Sequence, residues 1–178
     1  MTESELATLF SERFEGGCAI EGGRLILEQE LFVPAMNLAL LSSKGTVPFR
    51  AAYALECAFL QDPERFMPYC ERLAADYTVV THPSVWRHYG KIMGLLLKKK
   101  RLLLTGEQAG KIAETAVMRL VDGQVPVGAR VWSLDVLYHL RSRVTWIDEE
   151  LPAIIDDLKI DPQPAMVSRL RRFGWMKR

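Results

Sequence analysis

Cysteine is scarce in this chain. Cys18, Cys57 and Cys70 form an odd, scattered set with no C-x-x-C pair. That argues against a disulfide framework or a zinc site and fits a reducing compartment. Charge of one sign is missing too. The net charge is +1, so no global field points to nucleic acid or a membrane surface. Long apolar runs are absent: Leu95-Leu96-Leu97 and Leu102-Leu103-Leu104 are split by Lys98-Lys99-Lys100-Arg101. Neither side approaches the ~20 apolar residues of a membrane span. Residues Met1 to Glu5 are acidic where a secretory leader is basic. The expected location is cytoplasmic, with no membrane partner.

Catalytic signatures are also lacking. No G-x-S-x-G elbow, phosphate-binding glycine loop or H-E-x-x-H occurs. His82, His88 and His139 are not spaced to share one tetrahedral metal. No metal, cofactor or catalytic residue is expected.

What remains is a chain of 178 residues, 49% apolar and 25% charged, enough for one domain over residues 1–178 with a substantial core. Its main feature is a recurring phrase: proline, bulky apolar residue, arginine, then an apolar helix. It reads Val47-Pro48-Phe49-Arg50, then Pro83-Ser84-Val85-Trp86-Arg87. It returns as Pro126-Val127-Gly128-Ala129-Arg130 and as Pro164-Ala165-Met166-Val167-Ser168-Arg169. Val47, Val85, Val127 and Val167 step by roughly 40 residues, the mark of stacked helical hairpins.

Helical spacing dominates throughout. The opening helix is expected over about 2–14, ended by Gly16-Gly17. The next runs over about 23–41, with Pro34 breaking or kinking it. Ser42-Ser43-Lys44-Gly45-Thr46 is a loop in which Thr46 caps the helix to Leu60. Asp62-Pro63 starts a helix to about Asp76, and His82-Pro83 another. Thr105, Val125-Pro126, Thr145 or Asp148, and Pro162 to Pro164 open the rest. One set thus begins near 23, 63, 107 and 147, the other near 46, 83, 126 and 163. The expected fold is all-α: an α-α superhelix of about four hairpins behind an N-terminal capping helix. One hairpin buries only its inner face, so each needs its neighbour.

Val47-Pro48-Phe49-Arg50-Ala51-Ala52-Tyr53-Ala54-Leu55-Glu56 resembles the second helix of a HEAT-type repeat: an arginine, small alanines, an aromatic, then leucine. Tyr53-Ala54-Leu55-Glu56 and Trp132-Ser133-Leu134-Asp135 match in kind, as duplication would leave them. The resemblance implies a scaffold that binds protein, peptide or nucleic acid along a concave face lined by second helices. It also brings in HEAT-like DNA glycosylases, whose aromatic-plus-carboxylate sites Trp132 and Asp135 resemble. The chain is similar as well to small helical proteins linked with adenylosuccinate lyase, but the methionine-proline-x-lysine-x-asparagine loop of those lyases is absent.

The candidate binding residues are cations of the second helices. Arg87, Lys91 and Lys98 fall within roughly 40° on a helical wheel, with Gly94 leaving a shallow gap among them. Arg50, Arg130 and Arg169 hold related places, and Arg172 follows in a basic, aromatic tail ending Phe173-Gly174-Trp175. Together they make a ridge suited to an acidic peptide or to phosphates. The competing reading is that these arginines bond to neighbouring helix ends and hold the repeats together. Lys98 to Arg101 likewise suit a helix C-terminus, and the tail suits a last repeat that buries its aromatics. Two partner classes follow, a protein or peptide first and nucleic acid second.

Overall fold

The computed structural model describes residues 1–12, 18–41 and 45–177, apart from the Cys18 side chain. Among them every regular element is helical. In order these are α1 (Glu3–Ser11), α2 (Cys18–Gln29), α3 (Phe32–Ala39) and α4 (Thr46–Gln61). Then come α5 (Pro63–Phe66), a 3₁₀ turn (Met67–Tyr69), α6 (Cys70–Val79) and α7 (Pro83–Lys98). The chain closes with α8 (Gly106–Val121), α9 (Val127–Leu140), α10 (Trp146–Leu158) and α11 (Pro164–Arg172). No helix of the described residues is long and apolar enough to cross a membrane.

Local chemistry explains most boundaries. Thr2 and Thr105 each make a capping box with Glu5 and Gln108, satisfying orphan amides at both places. His82 caps α7 through Nδ1, with Pro83 in the first turn. Pro164 opens α11 in the same way, because a first-turn proline lacks an amide that would have no partner. The segment over 23–41, where a break or kink is expected at Pro34, is divided between two helices, α2 and α3. The break falls at Glu30, in the left-handed region at φ 53°, and Pro34 lies in the first turn of α3. Lys100 has the same φ after α7. There Arg101 donates to the Leu96 carbonyl and Lys100 to that of Leu97, both at 3.0 Å. Both ends are closed by the bond pattern usually given to glycine.

Three expectations need correction. Gly45, not Thr46, holds the cap position of α4, and it makes no side-chain cap bond. The helix expected from Pro63 to Asp76 is interrupted by the 3₁₀ turn at Met67–Tyr69, where Pro68 removes an amide from the ladder. Thr145 occupies the cap of α10 without a side-chain bond, and Asp148 lies inside the helix. The glycine stop at Gly16-Gly17 and the loop residues Ser42 to Lys44 lie outside the described residues.

The contacts between helices carry a direction. Tyr53 stacks on His88 with ring centroids 4.8 Å apart, while Glu56, one turn on, meets Lys91. A Cβ added at Gly90 would lie 3.0 Å from that of Trp132; one at Gly94 would lie 3.3 Å from that of Asp135. Trp132 then lies under Arg169, and Tyr138 stacks on Phe173. In each pair the contacts advance together along both helices. α4, α7, α9 and α11 therefore run parallel, each against the next, while α8 turns back onto α9. Small residues make the approach possible: Ala51, Ala52 and Ala54 are fully buried, and Gly90 and Gly94 bring α7 close to α9. One hydrophobic cluster extends from Leu6 through Phe32, Leu55, Tyr77, Ile92 and Leu134 to Leu170. Each such large side chain contributes about 1.5–3 kcal/mol when fully buried.

Candidate functional site

Four of the seven candidate cations are engaged inside the molecule. Arg50 donates from Nη1 to the Phe10 carbonyl at 2.7 Å and to that of Glu12. Arg130 donates from Nε to the Leu120 carbonyl at 2.8 Å. Both close the C-terminal end of another helix, α1 and α8, where carbonyls lack intrahelical donors. Lys91 donates to Glu56 Oε1 at 2.5 Å. Arg169 is ion-paired with Asp135, and its guanidinium lies 4.5 Å from the Trp132 ring centroid.

Glu56 is only 5% exposed. His88 Nδ1 faces its Oε2 at 2.7 Å, a geometry in which the ring nitrogen donates. Burial pushes the Glu56 carboxyl up, but the hydrogen bonds from His88 and Lys91 outweigh it and hold the group below the usual carboxylate range. His88 is 1% exposed. Although it sits in sequence beside the cations Arg87 and Lys91, it is a buried link between α4 and α7 and no part of a surface.

Asp135 stands at the matching place on α9 and behaves in the opposite way. It is 3% exposed, and burial pushes its carboxyl up to about 6, against the pull of Arg169, Arg172 and Lys98. Burial also lowers the Arg169 guanidinium. Both partners report that loss of water outweighs their attraction. Asp135 is thus not a surface acid, nor is it open beside an exposed Trp132 as in the glycosylase comparison. Gly94 leaves no gap either, because Trp132 and Asp135 occupy the space.

Three candidates remain exposed: Arg87, Lys98 and Arg172. Arg87 lays its stem on Gly128 of α9, where an added Cβ would meet Arg87 Cδ at 3.2 Å. Lys98 and Arg172 both lie close enough to Asp135 and His139 to act on their charge. The seven residues therefore form no continuous ridge. Arg50 and Arg130 face helix ends, and Lys91 is bound toward α4. Arg87, Lys98, Arg169 and Arg172 gather along α7, the near side of α9, and α11. In the tail, Phe173 stacks on Tyr138 at 3.9 Å with Trp175 edge-on to both, while Arg171 and Arg172 stay exposed. The aromatic faces are spent on this cluster.

Two features were not anticipated from the sequence. Arg119 of α8 is 6% exposed, lies between Tyr77 and Trp86, and donates from Nη2 to the Tyr77 and Val80 carbonyls at 2.8 and 3.2 Å. A charged residue inside an apolar helical stripe is the signal that marks it. The second is the group of Arg141, Arg143 and His139 beside Lys98 and Lys100. Setting the repeat of about 40 residues against the basic run at 98–101 would have found it.

No protein-family model matches this chain, and neither curated proteins nor solved structures give a match.

Proposed function

We propose that this chain is a HEAT-like helical repeat array that acts as a protein-binding scaffold. It takes an acidic segment of a partner along α7, α9 and α11, on the concave face such arrays present. Its four hairpins end in α4, α7, α9 and α11. The repeat reading is supported by the parallel run of those helices and by polar links between elements 32 to 42 residues apart. Glu56 with Lys91 and Asp135 with Arg169 are the same device used twice.

The observation that carries the binding reading is the cation set left over once the links are assigned. Arg87, Lys98 and Arg172 are exposed and make no side-chain hydrogen bond or ion pair among the described residues; Arg87 lies against Gly128 of α9, and Lys98 and Arg172 lie near Asp135. Cations spaced along packed, rigid helices favour an extended anionic chain. A peptide fits better than nucleic acid, because Phe173 and Trp175 stack on protein rather than offering faces to bases.

Fluorescence anisotropy with a glutamate-rich peptide, set against a single-stranded oligonucleotide of equal length, tests this at about 50 mM salt, where phosphate contacts are strong. The peptide is expected to bind saturably and more tightly. Tighter binding of the oligonucleotide, with affinity falling steeply as salt rises, would replace this reading by the nucleic-acid one.

A further inference from the structure

A cleft of about 490 Å³ opens between the C-terminal ends of α7 and α9. Lys98, Lys100, His139, Arg141, Ser142 and Arg143 line it. We infer that this cleft is a binding site for a phosphomonoester; it shares Lys98 with the peptide surface proposed above but includes neither Arg87 nor Arg172.

Four cations converge there from two chain segments, against one carboxylate, Asp148, which lies 3.8 Å from Arg141. Cations at helix C-termini meet the negative end of the helix dipole favourably, which accounts for Lys98 and Arg141. It does not account for Lys100 and Arg143, which lie past the last turns and bring like charges together at a cost. Neither side chain makes a hydrogen bond or ion pair among the described residues, and neither does Lys98. Leu97 and Leu102 give the cleft apolar walls, and its other polar groups can face an anion. Ser142 supplies a hydroxyl, and Arg141 is held in place over the Tyr138 ring at 4.4 Å. His139 Nε2 is buried without a partner.

Several groups face His139. Lys98 comes from α7, Arg141 from the end of its own helix, and Arg169 and Arg172 from α11; burial first, then these cations, lower its imidazole. A dianion in the cleft offsets those charges. Guanidinium forks and ammonium groups around a hydroxyl donor are the set that recognises a phosphate's three terminal oxygens. The volume admits the phosphate with the residue or small molecule that carries it.

Calorimetric and NMR titration of the full chain test the site. The probes are inorganic phosphate, free phosphoserine, a phosphoserine peptide and its unphosphorylated twin. Saturable phosphate binding is expected, with the His139 ring resonances moving. Lys100→Asn paired with Arg143→Gln should weaken binding about tenfold or more, about 1.4 kcal/mol, because two charge-assisted contacts to the anion are lost. Asparagine suits the left-handed backbone at position 100, and an unchanged thermal melt checks folding. Arg24→Gln, on α2, should leave binding unchanged. A phosphopeptide that binds about tenfold tighter than phosphoserine identifies a phosphorylated segment as the ligand; equal affinities identify a small phosphate ester. No saturable binding, or equal loss with Arg24→Gln, overturns the proposal. Because Arg87 and Arg172 do not line the cleft, failure here leaves the peptide reading standing, and failure of that reading leaves the cleft.

Discussion

Arg169 on α11 lies over the Trp132 ring on α9 while its guanidinium pairs with Asp135, one turn beyond Trp132 on α9. A single cation therefore fixes two neighbouring helices in register. Burial works against both members of the pair. Removing one alone leaves a buried charge without its partner. Asp135→Ala is expected to cost about 3–5 kcal/mol. Asp135→Leu combined with Arg169→Met is expected to return most of that stability, because an apolar pair needs no dehydration of charge. Urea unfolding of the three chains checks this. A double variant as unstable as the single one would mean that the ion pair itself supplies net stability.

Glu56 and Asp135 should give opposite responses to pH. The folded-state carboxyl of Glu56 is depressed, so its contribution is present above its ordinary value of 4.5 and is lost as pH falls below it. That of Asp135 is raised from 3.8 to about 6, so its contribution is full below 3.8 and is lost as pH rises through 6. Unfolding free energies of wild type, Glu56→Gln and Asp135→Asn between pH 3.5 and 7 separate the two. On acidification the advantage of wild type over Glu56→Gln should shrink, and its standing against Asp135→Asn should improve. Slopes of the same sign would contradict the opposed environments.

Two glycines inside helices should respond oppositely to a methyl group. At Gly110 of α8 an added Cβ meets nothing within 4 Å. Gly110→Ala should therefore stabilise by about 1 kcal/mol through helix propensity alone. At Gly90 the Cβ would lie 3.0 Å from that of Trp132, so α7 and α9 must separate. Gly90→Ala should destabilise by about 1–3 kcal/mol. Thermal melts of both variants suffice. A stabilised Gly90→Ala would show that α9 does not sit this close.

The elements most legible in the sequence were those set by local chemistry. The capping boxes and proline starts at Thr105, His82-Pro83 and Pro164 marked helix onsets that the structure keeps. Breaks without glycine were harder to see. Glu30 and Lys100 take a left-handed backbone that their side chains do not advertise, and Pro68 interrupts a stretch whose apolar periodicity continues past it. The candidate site was legible only as a set of cations. Whether Arg169 faces solvent or Asp135 depends on α9 running parallel to α11, and whether His88 is surface or core depends on where Glu56 lies across from it. Such choices rest on tertiary register, which helix periodicity within one segment does not carry. The duplicated Tyr53-to-Glu56 and Trp132-to-Asp135 phrases held the clue: an aromatic and an acid one turn apart, each receiving a cation from the next helix.

The most direct measurement of acidic-segment binding is peptide affinity after charge reversal on the exposed cations outside the phosphate cleft. Arg87→Glu with Arg172→Glu should weaken a glutamate-rich peptide by tenfold or more, about 1.4 kcal/mol, with an unchanged melt, while Arg24→Glu on α2 should have no effect. Unchanged affinity in the double variant would contradict a binding surface along α7, α9 and α11.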